Sequence, residues 1–459
     1  MFNRRDAMIR LGQLGVGGLT LPGLLAAQQA AASEAVSATA DACIYIFLWG
    51  GVPQQDTWDM KPDTPAGIRS PFKPIASRVP GISVCDQMPL FAQHTDKVAV
   101  VRSLSHDSNN HEPSVYRMLT GRQNPTLVVP RNQRKRSDFP YVGSMISHFT
   151  PPGGIPATVT IPRPIGHDGV TYTGTYAGFL GPRHDPLEKA AADRSTTPEL
   201  HPTTPLPDLD QTRLLGRQGL LKTIEQIDRR LQSRKTRDLD EVRDQAMRMV
   251  TSPLVRRAFD LNEESLKTRD RYGRNEYGES FLLARRLIEA GVKLVSCFWM
   301  HRSPVDGKIY NVWDVHGGTA AFNKIGGFDM LKEPYCLPPL DRALSALLDD
   351  LHDRGMLPRT LVAVASEFGR TPKINKDAGR EHWGAVQSAL LAGGGVRGGQ
   401  VYGSSDALAA YPKENPVSPE DYLATICQAL GVSPDAEIRD RENRPYRVCE
   451  GKPIQALFG

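Results

Sequence analysis

The chain has 459 residues, which is enough for one large α/β domain or two ordinary ones. Its hydrophobic content of 40% and charged content of 23% are ordinary values for a globular protein. The formal net charge of +5 does not indicate nucleic-acid binding, so we expect no nucleic-acid partner. After the N-terminal segment, no stretch is long and apolar enough to be expected to cross a membrane.

Residues 1–32 have the pattern of a targeting segment. Arg4 and Arg5 precede a weakly hydrophobic stretch over residues 11–27, and three alanines at 30–32 provide small residues for cleavage. A twin arginine in this position predicts recognition by the twin-arginine translocation machinery, with an ordinary secretory signal as the alternative. We therefore expect an exported protein, in the periplasm or outside the cell.

Six cysteines are present, and none of them has the close spacing of a metal-binding motif. Cys43 and Cys297 lie within apolar, strand-like runs, and we interpret them as small buried hydrophobic residues. Export would permit disulfides. A bridge between Cys427 and Cys449 is possible, and the sequence alone leaves it open.

The first strand is predicted over residues 43–49, a continuous run of apolar, β-branched and aromatic residues typical of a strand buried on both faces. Gly50, Gly51 and Pro53 end it. Asp56 follows within the next loop, and we expect it to bind a metal or a substrate. The alternative is that Asp56 caps a turn or a helix.

A second strand is predicted over residues 97–104, and His106 and His111 follow it. Pro113 fits the first turn of a helix and Gly121 fits its end, so both histidines lie between a strand and a helix N-terminus. The free amides and the dipole of such a terminus favour an anion such as phosphate or sulfate. Two histidines at this place predict a functional role.

The middle of the chain is predicted to be an insertion over residues 166–275. Residues 166–207 are rich in Gly, Pro and Thr and indicate a long surface loop, whereas residues 214–270 have the apolar spacing of helices. A third buried strand is expected over residues 292–300. Asp314 and His316 follow it, beside two glycines that permit a close approach of the backbone, which suits two metal ligands on one loop.

A fourth strand is predicted over residues 361–365, and Glu367, Arg370 and His382 follow it. In an open α/β sheet, ligands bind beyond the carboxyl ends of the strands, so we expect the four loops to converge on one site. The expected metal ligands are Asp56, Asp314, His316, Glu367 and His382. Oxygen and nitrogen ligands without thiolate suit a divalent cation, namely zinc, calcium, magnesium or manganese.

Several motifs together resemble an exported bacterial family known as domain of unknown function 1501. They are RRD at 4–6, LWGG at 48–51, LTG at 119–121, ARRLIEAGV at 284–292, WDVH at 313–316, SEFGRTP at 366–372 and HW at 382–383. That family looks like a branch of the alkaline phosphatase and sulfatase superfamily. The resemblance implies a three-layer α/β sandwich of the alkaline phosphatase type, with a mainly parallel sheet, helices on both faces and a single domain over residues 40–459.

The wider superfamily resemblance rests on two segments. HEPSVYRMLTGR at 111–122 is similar to the sulfatase signature, with His111 at the position of the modified Cys or Ser nucleophile. SEFG at 366–369 is similar to a Ser-Asp-His-Gly metal motif, with Glu367 and Phe368 in place of Asp and His. The resemblance thus implies a phosphatase-like site with an altered nucleophile position.

These observations predict a metal-dependent hydrolase acting on a small-molecule or glycan ester of phosphate or sulfate. We expect His111 and His106 as metal ligands or acid–base catalysts, and Arg370 as the group that stabilises anionic oxygens. Arg122 and Ser114 are expected to bind the substrate. The alternative is a non-catalytic domain that binds a metal or an anionic glycan, and the oligomeric state is left open.

Overall fold

The computed structural model describes residues 36–123, 134–167, 170–188 and 252–459. The expected targeting segment at 1–32 therefore lies outside the described residues, as does the part of the expected insertion from 189 to 251. None of the described helices combines the length and the apolar character that a membrane span requires.

A mixed sheet of eight strands forms the centre of the protein. In chain order the strands are β1 (Ala42–Leu48), β2 (Val98–Leu104), β3 (Thr158–Ile161), β4 (Leu187–Glu188), β5 (Leu294–Trp299), β6 (Thr360–Ala365), β7 (Gln387–Ala392) and β8 (Gln400–Tyr402). Their order across the sheet is β8-β2-β7-β6-β1-β5-β3-β4. Strand β7 runs antiparallel to β6 and β2, and the other neighbouring pairs are parallel.

Helices cover both faces of this sheet. They are α1 (His111–Thr120), α2 (Val142–Phe149), α3 (Pro253–Phe259), α4 (Leu266–Tyr272), α5 (Glu276–Glu289), α6 (Gly327–Met330), α7 (Leu337–Asp353) and α8 (Pro419–Ala429). Side chains alternate along a strand, so Ile44 and Ile46 of β1 pack with α5 and α7, whereas Tyr45 and Phe47 pack with α1, α2 and α8. The expected α/β architecture, with a mostly parallel sheet between two helical layers, is confirmed.

Six short antiparallel strand pairs lie in the loops of the described chain. They are Pro74–Ala76 with Ser83–Cys85, Gly166–His167 with Val170–Thr171, His301–Arg302 with Ile309–Tyr310, Gly369–Arg370 with His382–Trp383, Ser404–Ser405 with Pro412–Glu414, and Glu437–Arg439 with Pro445–Arg447. The pair formed by Gly369–Arg370 and His382–Trp383 matters for function, because it folds the loop after β6 back over the sheet edge.

Two helix boundaries follow directly from local chemistry. Helix α1 ends at Gly121, whose φ of 65° is a left-handed conformation that glycine adopts at little cost. Helix α8 begins with a capping box, in which the Ser418 side chain accepts from the Asp421 N–H and the Asp421 carboxylate accepts from the Ser418 N–H. Within the expected insertion, the described residues 252–275 contain α3 and α4, in agreement with the helical pattern.

Candidate metal centre

The carboxyl ends of β1, β2, β5 and β6 meet at one edge of the sheet. Strand β2 leads through His106 to His111 at the first turn of α1. The loops after β5 carry Asp314 and His316, and the short strand pair after β6 places His382 opposite Arg370. Residues far apart in the chain are thus brought to one place by the parallel arrangement of the strands.

Three histidines surround the carboxylate of Asp314. The Nε2 atom of His382 lies 3.0 Å from Asp314 Oδ1, and the Nε2 atoms of His111 and His316 lie 3.4 and 3.3 Å from Asp314 Oδ2. The side chains are partly accessible: His111 is 14% exposed, His382 26% and His316 37%. The sequence prediction that Asp314, His316 and His382 lie together with His111 thus agrees with their positions.

Each of these imidazoles is oriented through its other nitrogen. His111 Nδ1 lies 2.7 Å from Glu367 Oε1, His382 Nδ1 lies 2.9 Å from the Asn109 carbonyl, and His316 Nδ1 lies 3.0 Å from the Gly317 carbonyl. Carbonyl and carboxylate oxygens can only accept here, so Nδ1 carries the proton. Once an imidazole has lost its second proton, its Nε2 lone pair faces Asp314 and can bind a cation, which is the arrangement typical of metal-binding histidines.

The distances test whether a metal fits. Ligand atoms of His111, Asp314 and His382 all lie within 4.8 Å of one another. Neighbouring ligands around a tetrahedral ion with bonds of about 2.0–2.1 Å are separated by about 3.3 Å. The 3.4 Å contact from His111 Nε2 to Asp314 Oδ2 matches this value and exceeds the usual hydrogen-bond length of about 2.9 Å, and His382 Nε2 lies 3.0 Å from Asp314 Oδ1. Two imidazoles and one carboxylate therefore fit a small divalent cation such as zinc or manganese.

Arg370 balances the charge of Asp314 from the protein side. Its Nη2 lies 2.7 Å from Asp314 Oδ1, and the Arg370 side chain is fully buried. Burial alone would raise the pKa of Asp314, but Arg370 and the three histidines outweigh it and hold this pKa well below 3.8. The carboxylate is therefore ionised and able to bind a cation at neutral pH.

The pKa values of His111 and His316 are raised, in contrast to that of Asp314. Burial alone would lower the pKa of His111, yet hydrogen bonds to Asp314 and Glu367 raise it to about 9. The hydrogen bond to Asp314 raises the pKa of His316 as well. Without a metal, the cluster therefore holds protons near neutral pH, and a metal ion would have to displace them.

Glu367 was expected to be a metal ligand, but its carboxylate lies behind His111. Its carboxylate accepts from the Gly50 N–H at 2.9 and 3.0 Å, from the Ser366 hydroxyl at 3.0 Å and from His111 at 2.7 Å, and it is fully buried. The Gly50 backbone can lie close to the loop that carries Asp314 because glycine has no side chain: a Cβ on Gly50 would lie 2.2 Å from the Asp314 backbone nitrogen. Glu367 thus orients His111 from behind and lies outside the group of three ligand residues.

The structure corrects the expectation that Asp56 is a metal ligand. The structure places it in a fully buried ion pair with Arg380, with contacts of 2.7 and 3.1 Å from the guanidinium nitrogens Nε and Nη2 to its two oxygens. This bidentate pair occupies both carboxylate oxygens. Asp56 therefore does not join Asp314 in the described structure, because a cation of the chain already neutralises it.

His106 also lies behind the cluster. Its Nε2 donates to the Glu367 carbonyl at 2.6 Å, and its Nδ1 accepts from the Ser108 N–H at 3.2 Å. Burial lowers the pKa of His106. With both nitrogens bonded within the protein, His106 supports the loop that carries Glu367, and this differs from the expected role as a metal ligand or acid–base catalyst.

The remaining predicted residues contact other groups. All three side-chain nitrogens of Arg370 contact acceptors of the protein, including the carbonyls of Gly51 and Arg380. Arg122 forms an ion pair with Glu450, about 15 Å from His111, beyond the far end of the ten-residue helix α1. The Ser114 hydroxyl donates to the Ser108 carbonyl. These side chains are thus engaged, whereas free contact with a substrate was expected.

Two residues at the site were not found from the sequence. The Asn311 amide Nδ2 lies 3.3 Å from His111 Nε2 and 3.5 Å from Asp314 Oδ2. Asn109 accepts from His382 through its carbonyl and from the Gly384 N–H through its side chain at 2.6 Å. The only sequence signal for Asn311 was its position three residues before Asp314 in the same loop.

Three solved structures of bacterial proteins are similar to this chain at low identity. A Bacteroides thetaiotaomicron protein, from work on the metabolism of multiple glycosaminoglycans, is 11% identical, with 91% of this chain and 76% of that chain covered and a TM-score of 0.41. The phosphonate monoester hydrolase of Silicibacter pomeroyi is 11% identical, with 91% and 76% covered and a TM-score of 0.40. Alkaline phosphatase of the Antarctic bacterium TAB5 is 10% identical, with 85% and 98% covered and a TM-score of 0.32.

Sequence comparisons give the family. No curated protein matches the chain significantly. The profile of one family, described as a protein of unknown function, DUF1501, matches residues 40–458. This match covers nearly the whole chain after the N-terminal segment and confirms the resemblance inferred from the motifs. The chain therefore belongs to the DUF1501 family.

Proposed function

We propose that this protein is an exported, metal-dependent hydrolase of phosphate or sulfate esters. The observation that carries the proposal is the convergence of His111, Asp314 and His382 at the carboxyl edge of the sheet, with their ligand atoms within 4.8 Å of one another. Asp314 is ionised and partly exposed, so a cation held there would be accessible to a substrate. When bound, such an ion supplies Lewis-acid chemistry, activating water and stabilising negative charge on the transferring group.

The start of α1 provides a second feature that favours an anionic substrate. His111 is the first residue of this ten-residue helix, so the positive end of the helix dipole lies beside the cluster. A phosphoryl or sulfuryl group near Asp314 would be attracted by this terminus. The same geometry suits a small-molecule or a glycan ester, because neither feature depends on the alcohol part of the substrate.

His316 is the best candidate for proton transfer. It lies beside Asp314 but outside the group formed by His111, Asp314 and His382, and its side chain is the most exposed of the three histidines. Its hydrogen bond to Asp314 raises its pKa, which favours the imidazolium form with a proton at Nε2. In our proposal His316 passes this proton to the leaving alcohol, while Glu367 and the Asn109 carbonyl keep the other two imidazoles in position.

A second candidate function is the binding of a metal or an anionic glycan without turnover. It is favoured by a specific observation: the hydroxyl of Ser114 and the guanidinium groups of Arg122 and Arg370 are all engaged by other groups of the protein. The expected nucleophile position holds His111, which itself is fixed by Glu367. Hydrolysis would then depend on activated water as the nucleophile.

The experiment measures metal content and ester turnover on the same preparations. We would purify the exported protein, determine bound divalent metals by mass spectrometry, and assay nitrophenyl phosphate, phosphonate and sulfate esters. The test variants are His382→Ala and Asp314→Asn. The control is His352→Ala, because His352 is exposed and lies at the last turn of α7, at the opposite end of β6 from the site.

We expect the wild type and His352→Ala to bind a divalent metal and to hydrolyse at least one ester, and both test variants to lose metal and turnover together. Metal binding without turnover of any ester would favour the second candidate. A wild-type protein that takes up no zinc, manganese, magnesium or calcium would rule out both the metal-dependent hydrolase and a metal-binding domain. Cleavage of the N-terminal segment, read from the mass of the exported protein, tests the proposed route through the twin-arginine machinery.

A further inference from the structure

Cys427 and Cys449 lie next to each other in the core on one face of the sheet. Their sulfur atoms are 3.6 Å apart. Cys427 is on α8 and Cys449 follows the strand pair of Glu437–Arg439 and Pro445–Arg447, and the two side chains are 0% and 2% exposed. Both residues are thus held in contact by parts of the chain 22 residues apart.

The backbone around both cysteines is fixed by hydrogen bonds. The Cys449 N–H donates to the Pro434 carbonyl at 3.0 Å. Beyond it, the Lys452 N–H donates to Asp421 Oδ1 at 2.7 Å and the Ile454 N–H donates to Thr425 Oγ1 at 2.9 Å, so the segment runs along α8. A disulfide needs a sulfur separation of about 2.05 Å, which small side-chain rotations at the two cysteines would supply.

We propose that Cys427 and Cys449 form a structural disulfide that ties the C-terminal segment to α8. Thiol–disulfide exchange supplies the chemistry, with a small disulfide such as oxidised glutathione as the oxidant. One cysteine thiolate attacks the oxidant, releasing one thiol and leaving a mixed disulfide; the second cysteine thiolate then displaces the other thiol. Two protein thiols are oxidised and one disulfide of the oxidant is reduced to two thiols, so protons and electrons balance.

The pairing is selective within the chain. Cys43 on β1 packs into the core on one face of the sheet, whereas Cys297 on the neighbouring β5 packs into the core on the other face. Strand geometry therefore separates these two sulfurs. The contact with Cys449 and burial both raise the pKa of the Cys427 thiol, which lowers its reactivity once the segment has docked.

The test counts free thiols in the full-length chain. The chain is unfolded with reductant, refolded in a buffer of reduced and oxidised glutathione, then denatured and alkylated. Since the chain has six cysteines, we expect four alkylated residues, and six if reductant is added before alkylation. Proteolysis without reduction should release one peptide pair that contains Cys427 and Cys449.

Two variants keep the outcome interpretable. Cys85→Ala removes a buried cysteine outside the pair and should leave three free thiols with the same linked peptides. Cys449→Ala should leave five free thiols, and its melting temperature should no longer fall when reductant is added, in contrast to the wild type. Six alkylated cysteines in the refolded wild type, or linked peptides joining any other two cysteines, would overturn the proposal.

Discussion

Two aspartates, Asp56 and Asp314, have opposite environments in neighbouring loops. The carboxylate of Asp56 is fully buried and forms two short contacts with one guanidinium, that of Arg380. The carboxylate of Asp314 is 18% exposed, and one oxygen contacts Arg370 while the other has only contacts of 3.3–3.5 Å. Arg380 thus occupies both oxygens of Asp56, which we call the closed aspartate. One oxygen of Asp314, the open aspartate, remains available on the side that faces the histidines.

This difference shows what separates a structural carboxylate from a binding one. Both follow apolar strands and both have an arginine partner, so residue type and position do not distinguish them. A bidentate arginine uses both oxygens and leaves no site for another cation. An arginine that reaches one oxygen neutralises part of the charge and keeps the other oxygen available, here beside the Nε2 atoms of His111 and His316.

The largest effect is expected from removing the closed aspartate. Asp56→Ala leaves the buried Arg380 guanidinium without a carboxylate partner, so we expect the free energy of unfolding to fall by about 3–5 kcal/mol. Urea denaturation followed by circular dichroism measures this change. Metal content per folded molecule should stay at the wild-type level.

The matched control for this prediction is Asp353→Ala on α7. Asp353 is 62% exposed and pairs with Arg271 at the surface, so its removal should change the free energy of unfolding by less than about 1 kcal/mol. If Asp56→Ala behaved like this control and lost its metal, Asp56 would be a ligand after all, and the comparison of the two aspartates would fail.

The open aspartate should make stability depend on pH when no metal is present. The pKa of His111 is raised from 6.5 to about 9, because the hydrogen bonds to Asp314 and Glu367 outweigh burial. The stability contributed by this raised pKa is fully present below pH 6.5 and is lost as the pH rises through about 9. We expect a loss of roughly 3 kcal/mol over this range in the presence of a chelator.

Denaturation midpoints in urea between pH 6 and 9.5, with a chelator, measure this dependence. Asp314→Asn should flatten the curve, because the neutral amide no longer stabilises charged His111 or His316. Added metal should bind more tightly as the pH rises, since its ligands must first lose their protons. A wild-type stability that rises between pH 6.5 and 9 without metal would contradict the described cluster.

A smaller effect is expected from the residue that orients His111. In Glu367→Gln, one oxygen acceptor becomes an NH₂ group, which cannot accept from the Gly50 N–H, the Ser366 hydroxyl or His111. Loss of such an orienting partner typically weakens metal binding 10- to 100-fold. Isothermal titration with zinc or manganese measures the change. The control is Glu289→Gln, because Glu289 on α5 is half-exposed and forms an ion pair with Arg285 away from the site. Complete loss of binding, equal to that of Asp314→Asn, would indicate that Glu367 is itself a ligand.

The fold was largely predictable because its signals are local. Apolar runs predicted β1, β2, β5 and β6 to within two residues, and the proline and glycine around α1 predicted its start and its end at Gly121. These features depend on the burial of continuous residues and on backbone conformations that few residues adopt. The sequence also named Asp314, His316 and His382 from their positions after buried strands.

The partners of each charged group were less predictable, because tertiary packing decides them. Arg380 lies beside His382 in the sequence, yet it reaches Asp56 across 324 positions, while His382 reaches Asp314. Residues two positions apart on a regular extended segment point to the same side, so strand alternation does not predict that Arg380 and His382 reach different carboxylates, and the packing of the loop decides it. No pattern of residue types specifies this choice, and it converted Asp56 from an expected ligand into a structural residue.

The smallest effect, and the finest test of the comparison, concerns Asn311. Its amide lies 3.3 Å from His111 Nε2 and 3.5 Å from Asp314 Oδ2, the same separations that link the histidines to Asp314. An amide turned by 180° would present its oxygen to a cation held between these atoms. Asn311→Ala should therefore weaken metal binding less than tenfold, because three stronger ligands remain, and Asn311→Asp should restore or tighten it by adding a charged oxygen. Titration of both variants measures this order. If Asn311→Asp bound metal more weakly than Asn311→Ala, the amide would serve only to donate to His111, and the open oxygen of Asp314 would be shared by the histidines alone.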